Sequence, residues 1–147
     1  MISMQRTVTT TAPAVAVFDY LADFTNAEQW DPNAVKVIRL SDDAGTPSGD
    51  VVYRVTSRFA GRETDLDYRL VDLQPHTLIR LRGEKPAVTA VDTIRIEPRP
   101  DGTAVTYAVE FDFHGVFGLL APLLRPAVRR LLEQGAVGLS EELARLG

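Results

Sequence analysis

A single carboxylate stands where a strand should bury its side chain. In the run 88–98, alternation puts Asp92 on the apolar side, opposite Leu81 and Val109 on the neighbouring strands and two residues from Ile94. A carboxylate in that position loses its water. Desolvation raises its pKa towards neutrality, which suits a general acid or base. The structural alternatives are a bulge that turns it outwards, or a partner such as Arg6 or Arg62. Tyr53, Tyr68 and Tyr107 fall on the same side. Their hydroxyls could orient a ligand in an apolar pocket, or they could pack with the hydroxyl on backbone or water. Ser57 and Thr64 face each other there, able to bond a ligand or one another. A serine nucleophile would need a base and an orienting acid. The two histidines, His76 in a turn and His114 at a strand end, supply neither, and nothing resembles a nucleophile elbow.

The elements that must hold these groups follow from hydrophobic period. Residues 4–10 alternate as a first strand. Thr11 is the expected N-cap of a short helix with Pro13 in its first turn and Val17, Phe18 and Leu21 on one apolar side. A second helical turn covers 27–30 and stops at Asp31-Pro32. Strands are predicted over 35–40, 50–59, 62–73, 77–84, 88–98 and 103–113, with a loop over 42–49. The short turns 60–61, 74–76, 85–87 and 99–102 each carry Gly or Pro and make neighbours antiparallel. Phe59 then faces Arg62, Ser57 faces Thr64, Val55 faces Leu66 and Tyr53 faces Tyr68. The next hairpins pair Tyr68 with Leu81 and Leu70 with Ile79, Leu81 with Asp92 and Ile79 with Ile94, and Ile94 with Tyr107 and Asp92 with Val109. One face is apolar; the other carries Arg54, Arg58, Glu63, Asp65, Asp67, Arg80, Arg82 and Arg95. Such a sheet needs a cover. Residues 116–147 provide it, with apolar residues at steps of three and four from Leu119 to Leu146. Pro122 and Pro126 imply a kink or a stepwise start, and Gly135 and Gly138 near the inner face leave room beneath the helix.

Composition narrows the function. The chain has 147 residues, fitting one domain over 1–147, with a net charge of -4 and no basic run, which argues against nucleic acid. The absence of cysteine excludes disulfides, thiolate chemistry and cysteine-ligated zinc. With no second well-placed histidine, no metal and no cofactor are expected. The first residues lack a signal-peptide core, and no apolar run reaches the roughly 18 residues that cross a membrane. A cytoplasmic protein without an integral membrane segment is expected.

The stretch TAPAVAVFDYLADFTNAEQWDP resembles the opening of the START-like, or Bet v 1-like, superfamily (SRPBCC), which includes polyketide cyclase/dehydrase and lipid-transport proteins. Ala12-Pro13, Val17-Phe18, Leu21, Asp23, Trp30 and Pro32 carry the likeness, and the element order extends it over the whole chain. The resemblance implies an α+β helix-grip fold: a seven-stranded antiparallel curved sheet around a long C-terminal helix, with two short helices after strand 1 and a hydrophobic cavity between. On that reading Tyr53, Ser57, Phe59, Thr64, Tyr68, Leu81, Asp92, Ile94, Tyr107 and Phe111 line the cavity. Trp30, His114, Phe117 and Leu120 stand at its mouth, with Trp30 also fitted to anchor its helix and His114 also readable as a surface or capping residue. The expected partner is a small hydrophobic or amphipathic molecule: a lipid, polyketide or aromatic metabolite. One alternative is a cyclase or aromatase-like enzyme using Asp92 as acid or base. Another is an interaction protein using the apolar patch 116–124, as a lid, a membrane-touching portal or a homodimer surface.

Overall fold

The structure, a computed structural model, describes residues 1–40, 51–59 and 61–147. The expected loop 42–49, Asp50 and the turn residue Ala60 lie outside the described residues. In order come β1 (Ile2–Thr10), α1 (Ala14–Ala22), a 3-10 turn (Phe24–Asn26) and α2 (Ala27–Trp30). Then follow β2 (Ala34–Arg39), β3 (Val52–Phe59), β4 (Arg62–Gln74), β5 (Leu78–Lys85), β6 (Val88–Arg99), β7 (Gly102–Phe113), α3 (Val116–Leu119) and α4 (Ala121–Ala144). The strands form one antiparallel sheet in the order β1-β7-β6-β5-β4-β3-β2, curled around α4 as a helix-grip fold.

Alternation fixes which side of the sheet is wet. The outer face is tied by cross-strand pairs: Arg54 holds both carboxylate oxygens of Asp67 at 2.8 and 3.1 Å, and Arg58 meets Glu63 at 3.3 Å. The inner face carries Tyr53, Val55, Tyr68, Leu81, Ile94, Tyr107 and Val109, all buried. Against it lie Val128, Leu132, Gly135, Leu139 and Leu143 of α4. Their spacings of four and three make one stripe of the helix.

The register of β3 with β4, of β5 with β6 and of β6 with β7 follows the hydrophobic pattern, including Leu81 opposite Asp92 and Asp92 opposite Val109. The β4–β5 pairing differs. Tyr68 faces Gly83 and Leu70 faces Leu81, two residues away from the expected partners. The cause is twofold. The turn closes on Gln74 opposite Leu78, with His76 at φ 64°, and a bulge interrupts the ladder between Leu70 and Asp72. Up to Leu70 the shift is two, which keeps each side chain on its face, so the inner surface survives there; beyond the bulge Leu73, not Leu70, faces Ile79.

The helix ends also depart from expectation. Pro13, not Thr11, is the N-cap of α1, its carbonyl accepting from the Val17 amide at 3.1 Å. Thr10 works nearby: its hydroxyl accepts from the Ala12 amide and donates to the Leu143 carbonyl, while Thr103 donates to the Ala12 carbonyl at 2.7 Å. These bonds satisfy a buried stretch of backbone. The C-terminal helix begins in two steps, α3 and then α4, because Pro122 lacks the amide that a continuous start would use, whereas Pro126 lies inside α4. Gly138 does not leave room for a ligand. A Cβ there would collide with the Trp30 carbonyl, so this glycine serves the close approach of α2 to α4.

Candidate functional site

Between the inner face and α4 lies a cavity of about 110 Å³. Phe24 and Ala27 enter it from the segment after α1, and Val55, Ser57 and Phe59 from β3. Thr64, Leu66 and Tyr68 of β4, Val88 and Asp92 of β6, and Tyr107, Val109, Phe111 and Phe113 of β7 complete the sheet side. Leu131 closes it from α4. Phe59 stacks on Phe111 with ring centres 6.1 Å apart, and Phe111 on Phe113 at 5.9 Å. Since β3 and β7 are not neighbours in the sheet, this column of rings spans the hollow.

Asp92 points inwards, 6% exposed. Its Oδ2 accepts a hydrogen bond from the Tyr107 hydroxyl at 3.0 Å. Burial pushes its carboxyl up to about 7; the Tyr107 bond opposes the rise and the Asp31 carboxylate adds to it. Neither Arg6 nor Arg62 partners it: Arg6 reaches Glu133 and the Gln5 carbonyl. Tyr68 and Tyr107 are both pushed well above the ordinary phenol range, chiefly by burial and then by Asp92. Both therefore stay protonated and able to donate.

Asp31 was not singled out from sequence. It follows α2, where Asp-Pro reads only as a helix stop. Its Oδ1 accepts from the Asn33 amide at 2.9 Å, an Asx turn that orients the carboxyl into the cavity wall. Burial raises it to about 6, against the pull of the Asn33 bonds. The signal available in the sequence was the Asp-x-Asn spacing, which favours such a turn. Gly135 supports the same corner. A Cβ there would lie 3.5 Å from the Tyr107 ring and 3.8 Å from Asp31 Oδ1.

Ser57, Phe59, Thr64, Tyr68, Asp92, Tyr107 and Phe111 thus line one cavity. Tyr53, Leu81 and Ile94 lie on the inner face but outside the lining, packed into the core. Tyr53 sits against Phe24 at 5.9 Å, and burial raises its phenol. Trp30 is not at a mouth. It is 1% exposed and meets Tyr107 edge-on at 5.3 Å, so it anchors α2. His114 is on the outer side, where its Nε2 pairs with the Thr89 hydroxyl at 2.8 Å. Phe117 and Leu120 are roughly half exposed and lie outside the cavity lining. Among the described residues no cluster of acids and histidines is arranged to hold a metal.

The fold is thus a helix-grip sheet closed on an apolar cavity that holds a buried acid. The chain belongs to the family described as polyketide cyclase / dehydrase and lipid transport, which matches residues 1–144. Solved structures share the fold. The Zhui aromatase/cyclase from Streptomyces sp. R1128 is 22% identical, with TM-score 0.76 over 98% of this chain and 94% of that one. A START superfamily protein from Mycobacterium smegmatis is 17% identical, with TM-score 0.78 over 99% of each. A conserved protein from Geobacillus kaustophilus is 16% identical, with TM-score 0.72 over 98% of this chain and 96% of that one. No curated protein matches the chain. No helix of the described residues is long and apolar enough to cross a membrane.

Proposed function

We propose that the chain binds a small amphipathic molecule in this cavity, its apolar part against Phe59, Phe111, Phe113 and Leu131 and its polar part at Asp92, Tyr68 and Asp31. The observation that carries the reading is the Asp92–Tyr107 pair buried inside an otherwise apolar lining. Burying a carboxyl costs several kcal/mol, which the Tyr107 bond offsets in part, and its place in the cavity lining gives a polar guest a partner. Apolar contact contributes roughly 25 cal/mol per Å² of surface removed from water. Pockets that hold drug-sized ligands measure roughly 300–1,000 Å³, so a guest of polyketide size needs the Phe59–Phe111 column to part, whereas a single-ring metabolite needs less. A cytoplasmic setting fits this role.

A second reading is favoured by the elevated Asp92. A carboxyl that titrates near 7 can take a proton from carbon next to a ketone and return it to the alkoxide formed when that carbon attacks a second carbonyl. That sequence is an aldol cyclisation, and loss of water then gives a ring double bond. A hydrogen bond from the Tyr68 hydroxyl would stabilise the developing oxyanion.

The test is native mass spectrometry of the purified chain with extraction of anything bound, followed by titration of a fluorescent hydrophobic probe into wild type and Asp92→Asn. Retention of a small molecule, or probe binding blocked by Phe111→Trp, supports the cavity. Absence of both removes it. Binding that persists in Asp92→Asn while turnover of a diketone substrate disappears favours the enzyme.

A further inference from the structure

The cavity leaves the most exposed apolar surface of the chain unused. Leu119 is 82% exposed, Leu123 76% and Val116 68%, with Phe117 and Leu120 beside them. All lie in α3, in the first turn of α4 or, for Leu120, between the two, and none packs into the core cluster. The charge around them is one-sided. Between Asp112 and Glu133 the sequence has no acidic residue but has Arg125, Arg129 and Arg130. Among the described residues none of these arginines meets a carboxylate, whereas Glu133 is taken by Arg6 and Glu63 by Arg58. Three unpaired cations on a chain of net charge -4 are a local reversal of its field.

The patch also adjoins the way into the cavity. Leu123, Pro126 and Arg130 line a surface groove of about 560 Å³ with Asn33, Arg58 and Phe59. Phe59 and Leu131 belong to both the groove and the cavity, so these two side chains are the partition between them.

We propose that this face, α3 with the start of α4, docks on an anionic lipid surface, with Leu119, Leu123 and Phe117 entering the acyl boundary and Arg125, Arg129 and Arg130 at the phosphates. The combination of apolar side chains and flanking arginines without acids is that of an interfacial helix. A second copy of the chain fits less well, because it would bring the same three arginines against themselves. Docking in this pose turns the groove towards the lipid, so a guest can pass between bilayer and cavity past Phe59 without crossing water.

The experiment is co-sedimentation of the full chain with vesicles of phosphatidylcholine alone and of phosphatidylcholine mixed with phosphatidylglycerol, at low and high salt. An arginine near an anionic surface contributes about fivefold in affinity, so three give on the order of a hundredfold preference for the mixed vesicles, falling as salt rises. Leu119→Asp and Leu123→Asp are expected to abolish binding, and the triple change of the arginines to glutamate to abolish the lipid preference. Both leave the melting curve in place, since these side chains are exposed. Equal or absent binding to the two vesicle types overturns the proposal. So does concentration-dependent dimerisation in the ultracentrifuge that Leu123→Asp removes. The outcome is independent of whether a probe enters the cavity.

Discussion

The two ends of the half-barrel are built from the same strands and the same helix, yet one is packed and the other hollow. At the end nearest the β6–β7 turn, Ala12, Val17, Val105, Leu139 and Leu143 are wholly buried, and threonine hydroxyls satisfy the backbone between them. At the opposite end, Phe59, Val88, Phe111, Phe113 and Leu131 are only half-buried around the cavity. The difference lies in what α4 presents. Leucines fill the packed end, while Gly135 and the smaller contribution of Leu131 leave space over Asp31, Tyr107 and Asp92. Ionisable groups follow the space: two carboxyls and two phenols crowd the hollow, whereas the buried polar side chain at the packed end is Thr103, bonded to the Ala12 carbonyl. Stability is concentrated at one end so that the other can hold groups that oppose folding.

Substitutions can break that contrast at each end. The largest effect is expected from Gly138→Leu, whose side chain would be driven into the Trp30 carbonyl; no folded protein should be recovered, as judged by near-ultraviolet circular dichroism. Next, Leu139→Ala at the packed end should cost about 2–5 kcal/mol in urea unfolding. Phe111→Ala, whose ring is only half-buried, should cost roughly half as much. Equal costs would mean the two ends are equally packed.

Asp92 offers a subtler contrast. Its folded pKa of about 7 lies above the usual 3.8, so between those values the fold binds a proton that the unfolded chain releases. Stability from this group is therefore complete at acid pH and lost as pH rises through 7. At about 1.4 kcal/mol per unit, the loss is on the order of 4 kcal/mol. Asp31, raised to about 6, adds in the same direction. Asp92→Asn keeps an acceptor for Tyr107 and should be more stable than wild type at about pH 8 but not at about pH 4. Smallest of all, Arg54→Ala on the wet face should leave the melting temperature unchanged, since exposed pairs contribute little.

Much of this was legible in the sequence because period and turn chemistry agreed. The β3–β4 hairpin, the pairing of Asp92 with Leu81 and Val109, and the apolar stripe of α4 all followed from alternation and short loops. The β4–β5 register did not: the apolar alternation changes phase at Leu70-Val71, where the bulge falls, and a strand read with one continuous phase misses that slip. Asp31 was hidden for a different reason. Its role depends on α2 folding back over the sheet, a tertiary contact that a helix-stop pattern does not encode. For Trp30 and His114 the sequence left two readings open, and the structure takes the anchor for Trp30 and the outer face for His114 over the cavity mouth. Sequence placed residues on a strand or helix well, but at element ends the side-chain direction depends on backbone that alternation does not govern.

The most direct test is methyl-labelled nuclear magnetic resonance of the chain titrated with a small aromatic ketone. The account requires shifts at Val55, Val88, Val109 and Leu131, which line the hollow, while Val105, Leu139 and Leu143 at the packed end stay still. Shifts confined to Val116, Leu119 and Leu123, or none at saturating probe, would contradict a ligand-binding cavity.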